Sequence, residues 1–149
     1  MDTTQSPAYR SIEQIGELVQ AFEAGSLAPS QFNHQAHLTV ALWYLAHQPF
    51  AEAAATMRHS IQRFAAAHQH GQLYHETITM FWMRLLRHLL DTKELGESLP
   101  DLVCRACRTF GDMQPFFRHY SREHAFSPQA RQGWVEPDLL PLPFDKPDV

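Results

Sequence analysis

The chain has 149 residues, 44% hydrophobic and 19% charged, with a formal net charge of −4 when histidine is neutral and a pI of about 6.2. That length fits one domain able to bury a real core without staples. With no basic run there is no nucleic-acid footprint, and two cysteines cannot form a disulfide framework.

Other exclusions concern location. The first ten residues, MDTTQSPAYR, have no apolar core, so no signal peptide is expected. The apolar-rich runs are interrupted by His, Arg or Gln and are too short to span a bilayer. The expectation is a cytoplasmic protein with neither a membrane nor a nucleic-acid partner. Two departures from average stand out: 10 histidines and only 6 glycines. Scarce glycine with abundant Ala, Leu, Gln and Arg favours helix.

Residues 1–10 are expected to be loose. SIEQIGELVQAFEAG follows as a helix, with Ser11 and Gln14 spaced as a capping box and Gly25 as its stop. Ile12, Ile15, Leu18, Val19 and Phe22 form its apolar stripe. The second helix starts at the N-cap candidate Asn33, runs through HQAHLTVALWYLAH and stops before Pro49. The third runs from Phe50 to about His68, with Gly71 beyond it. The fourth covers roughly Tyr74 to Leu90. A fifth starts near Ser98, with Pro100 in its first turn, and ends near Gly111. A shorter helical piece spans Pro115 to about His124, and Ser127-Pro128 opens a last turn closed by Gly133. The Pro-rich tail, 134–149, is expected to be extended and to lie on the bundle through Trp134, Leu139 and Leu142. No period-two strand pattern occurs. The predicted class is an all-α, single-domain helical bundle of four to five main helices.

Chemistry is suggested by where the histidines fall. His34, His37, Ala41, Tyr44 and Leu45 share one stripe of the second helix, because residues three and four apart lie on one face. His75, Thr79, Trp82 and Leu86 do the same on the fourth. In an up-down bundle the second and fourth helices run parallel, which puts His34, His37 and His75 at one end. Three inward imidazoles with an open position suit a divalent transition metal, zinc, iron or copper. The plainer alternative is a polar, metal-free pocket. Glu76 could be a fourth ligand, act as a general base on a metal-bound water, or simply favour the helix N-terminus. Tyr74 and Tyr120 are expected to line the pocket, and His68 is a reserve ligand. His119 and Glu123 are less favoured, since Arg118, Arg122 and Arg131 suit a salt-bridged surface.

Other motifs carry less. Cys104-x-x-Cys107 lies within a predicted helix with no strand before it, unlike a redox CxxC. There is no GxSxG, no phosphate-cradling glycine loop and no HExxH.

Phe32, His34, His37 and Leu38, followed by Tyr74, His75, Glu76 and Thr77, resemble the F-x-H-x-x-H-L and Y-H-E-T motifs of a family of small bacterial helical proteins of unassigned function. YSRE from Tyr120 and WVEPDL from Trp134 are also similar to it. The resemblance spans most of the chain from residue 11 onward. It implies a helical fold and supplies no reaction. The leading expectation is a small metal-dependent enzyme with undetermined hydrolytic or oxygen-dependent chemistry. The alternative is a non-catalytic helical module that binds a small acidic or aromatic ligand, or a partner protein. Its aromatic content would also suit a homodimer, although no heptad seam is present.

Overall fold

A computed structural model of the chain describes residues 9–68, 74–142 and 144. Within them the only regular structure is helical. Five long helices come first in sequence: α1 (Ile12–Ala24), α2 (His34–His47), α3 (Phe50–Ala67), α4 (Glu76–Asp91) and α5 (Leu99–Thr109). Three short ones follow: α6 (Gln114–Phe117), α7 (Arg122–Ala125) and α8 (Pro128–Gln132). A 3-10 turn at Pro29–Gln31 joins α1 to α2.

The helix ends follow their local chemistry. Ser11 Oγ accepts the Gln14 N–H, and α1 stops at Gly25, whose φ of 77° lies in the left-handed region that glycine adopts without strain. Asn33 Oδ1 accepts the Ala36 N–H at 2.9 Å and so opens α2. Ser98 and Asp101 form a reciprocal capping box on α5. The start of α4 differs from the sequence expectation. Tyr74 lies outside the helix, and His75 is its N-cap residue, with Nδ1 accepting the Ile78 N–H at 3.1 Å. The piece expected from Pro115 to His124 is two helices rather than one, because Ser121 takes an extended conformation and caps α7. The expected end of α3 at Gly71 falls outside the described residues.

Helix α2 is the centre of the packing and touches α1, α3, α4 and α5. Ala36, Leu38, Thr39, Val40, Ala41, Leu42, Tyr44 and Leu45 are all buried, so α2 is covered around most of its girth rather than on one stripe. Phe22, Met57, Phe81, Trp82, Leu86 and Leu102 belong to the same buried core. Tyr44 ties three helices together, with its OH donating to Glu23 Oε2 at 2.6 Å and lying 3.3 Å from Ser60 Oγ.

Residues 133–142 are held by polar hooks. Thr77 Oγ1 donates to the Gly133 carbonyl and accepts the Val135 N–H. Tyr120 OH donates to the Val135 carbonyl at 2.7 Å. Asp138 accepts from both the backbone and the hydroxyl of Ser121. The Arg84 guanidinium stacks 4.1 Å over the Trp134 ring. Leu142 is buried, but Leu139 is 54% exposed, against expectation. Its N–H reaches the His119 carbonyl, and that backbone tie fixes it with the side chain outward. No described helix is long and apolar enough to cross a membrane.

Candidate functional site

The His75 ring has no nitrogen to spare. Nδ1 accepts from Ile78, which puts the proton on Nε2, and Nε2 donates to the Ala125 carbonyl. Burial, the largest influence, lowers its pKa. The side chain thus joins α4 to α7 as a neutral imidazole and is buried.

His34 lies elsewhere. Its Nε2 donates to the Phe110 carbonyl at 2.8 Å, and its ring meets Trp82 edge-on at 4.9 Å. Trp82 lies seven residues beyond His75, about 10 Å of helix rise. The start of α2 therefore abuts the middle of α4, and the His34 and His75 rings do not share a site. His37 stacks on Phe32 at 5.3 Å. Burial first, and then the neighbouring His34, hold its pKa down at about 4. Among the described residues, no group of three or more His, Cys, Asp or Glu side chains is placed to share a metal ion. The expected His34, His37 and His75 metal set is not assembled. The inward stripes exist, but the helices are offset along their axes, and the N-cap role of His75 takes up its donor atom.

Glu76 and Tyr74, in contrast, come together. Arg58 on α3 clamps Glu76 with two parallel bonds, Nε to Oε1 at 2.9 Å and Nη2 to Oε2 at 2.8 Å. Tyr74 OH donates to Glu76 Oε1 at 2.6 Å. The Arg58 hydrogen bonds outweigh burial and lower the Glu76 pKa, so the carboxylate stays ionised. Burial and the bond to Glu76 raise that of Tyr74, which stays a neutral donor. These side chains line an open cleft of about 450 Å³ together with Gln62 from α3 and Arg131 and Gln132 from α8. Arg131 has no ion-pair or side-chain hydrogen-bond partner among the described residues. The cleft carries two guanidiniums and one carboxylate, a net charge of +1.

Tyr120 does not line that cleft. It is fully buried and stacked 4.6 Å from Phe116, and it spends its hydroxyl on Val135. His119 Nδ1 lies 2.9 Å from the Leu140 carbonyl, and the Arg122 guanidinium sits 4.4 Å over the Phe117 ring. Cys107 is buried, and its thiol is pushed up to about 11 by that burial. Cys104 accepts from the Arg108 guanidinium at 3.1 Å, and both thiols are free.

The histidine pattern does not point to Arg58, Gln62 or Gln132, and Arg131 belongs to the expected salt-bridged surface. A signal was present: Arg58 and Gln62 are four apart and so share one face of α3. Pairing that face with Glu76 required the tertiary packing of α3 on α4. No protein-family model matches the chain, and neither the curated proteins nor the solved structures include one similar to it.

Proposed function

We propose that the chain is a non-catalytic helical binding module for a small monocarboxylate, taken by Arg131 in the cleft between α3, α4 and α8. One observation carries this reading: Arg131 faces the cleft without a counter-ion, while Arg58 is already neutralised by Glu76. A guanidinium presents a planar fork that matches a carboxylate in two parallel bonds. Gln62 and Gln132 offer amide donors beside it. The Arg58, Glu76 and Tyr74 network fixes one wall, so little ordering is left for binding. With a net charge of only +1, the cleft suits a monoanion better than a phosphate dianion.

The metal-dependent reading is less favoured, since ligation would break the N-cap of α4 and the bond to Ala125. The motif resemblance implies no reaction, so the proposal stands on the cleft alone. In this reading the described helices form one folding unit, residues 133–142 strap α8 to it, and the protein works in the cytoplasm with reduced thiols.

Titration calorimetry with butyrate, run beside Arg131→Ala and with inorganic phosphate as a competitor, tests the proposal. Saturable butyrate binding that is lost in the variant is expected. Equal binding by the variant, or tighter binding of phosphate, would overturn it.

A further inference from the structure

Tyr74 has two faces, and the second borders a different space. Its hydroxyl reaches into the polar cleft, but its ring also lines a half-enclosed pocket of about 220 Å³ with Phe32, Ile61, Phe64 and His68. That wall is almost wholly apolar. Its chief polar feature is His68, whose ring packs 4.5 Å from Phe64. His68 Nε2 is shielded from solvent and has no hydrogen-bond partner among the described residues. Buried ring nitrogens nearly always have a partner, and an orphan asks for an explanation. The volume also points to a ligand: an apolar cavity of roughly 150 Å³ is enough to hold one benzene ring. Phe32 and Phe64 lie 5.2 Å apart at a tilt of 56°, so two aromatic faces border the space.

We infer that this pocket takes the aromatic ring of the same ligand, with a polar substituent on the ring pairing with His68 Nε2, so that the ligand class is a hydroxyaryl carboxylic acid. The inference rests on the carboxylate reading of the cleft. The pocket and the cleft are one tyrosine side chain apart, since Tyr74 borders both. The acid end meets Arg131, the ring slides past Tyr74, and the far hydroxyl reaches His68. Each end supplies what the other lacks: the cleft gives charge and orientation, and the pocket gives apolar burial.

The test compares three probes on the full chain by calorimetry: butyrate, 3-phenylpropionate and 3-(4-hydroxyphenyl)propionate. Burying one ring is expected to tighten binding over butyrate by about tenfold or more. The hydroxyl is expected to add roughly a further fivefold. His68→Phe, which keeps a ring but removes the nitrogen, should erase the hydroxyl gain and retain the ring gain. Ile61→Trp, at a half-exposed position, should fill the pocket and erase the ring gain while butyrate binds as before. Circular dichroism would establish that both variants fold. Butyrate binding with no gain from either aromatic acid would overturn this inference and leave the cleft reading intact. No binding of any of the three acids would overturn the cleft reading as well. A hydroxyl gain that survives in His68→Phe would overturn the role of His68.

Discussion

At the residue scale, His37 and His75 act through their neutral forms. His75 accepts from one backbone N–H and donates to a carbonyl fifty residues away, a pairing that protonation of Nδ1 would break. His37 is held neutral by its surroundings down to about pH 4. Both folded-state values lie below the unfolded value of about 6.5. The unfolded chain therefore binds more protons as pH falls below 6.5, and the native state loses stability there. Urea midpoints are expected to be highest above pH 7 and to fall steadily toward pH 4. His37 contributes at most on the order of 3 kcal/mol to that fall. His37→Phe should flatten the profile; an unchanged slope would contradict the assignment. His75→Ala should cost about 1–3 kcal/mol, by loss of the cap and of the Ala125 bond. His75→Asn, which can still cap, should cost less in the same denaturation experiment. Because His75 has no free nitrogen, protein purified without a His-tag is expected to hold well below one transition-metal ion per chain by elemental analysis. About one ion per chain, lost on His75→Ala, would contradict the arrangement described above.

At the element scale, the apolar stripe of α1 and the caps of α1, α2 and α5 were legible in the sequence because each is decided locally. Asn33, Ser11, Ser98 and Gly25 do what their residue types favour. The start of α4 was not legible, since histidine is an unusual N-cap and Tyr74 continues the helical pattern backwards. The offset of α2 against α4 was not legible either. It depends on Trp82 meeting His34 and on how bulky side chains seat between helices, which no single-helix pattern encodes. The short helices α7 and α8 depend on distant partners: Ala125 is tied by His75, and Gly133 by Thr77. Thr77 is buried, and Thr77→Val removes both of its bonds without changing shape much. That variant should lose about 1–2 kcal/mol. Hydrogen exchange at Val135 should rise by more than exchange within α2; uniform acceleration instead would mean that Thr77 does not act as a local hook.

At the scale of the whole molecule, two of the residues singled out from the sequence, Tyr74 and Glu76, line one cleft, whereas His34, His37 and His75 do not assemble. The guanidinium in that cleft without a partner among the described residues is that of Arg131. That residue lies 55 positions after Glu76 in the chain, and only tertiary packing of α8 on α4 brings it there. Because Arg131 pairs with nothing among the described residues, Arg131→Ala should leave the melting temperature nearly unchanged, as surface substitutions usually do. Breaking the half-buried Arg58 and Glu76 pair by Arg58→Ala should lower it, since Glu76 would keep its charge and lose two bonds. Arg131 is the proposed anion-binding group of the cleft. The most direct measurement follows the arginine Nε–H resonances by NMR during a butyrate titration. The Arg131 signal is expected to shift and saturate, while that of Arg58, already bonded to Glu76, moves little. A titration that leaves Arg131 unmoved, or shifts only the Arg84 and Arg87 signals beside the opening at His88, would contradict it.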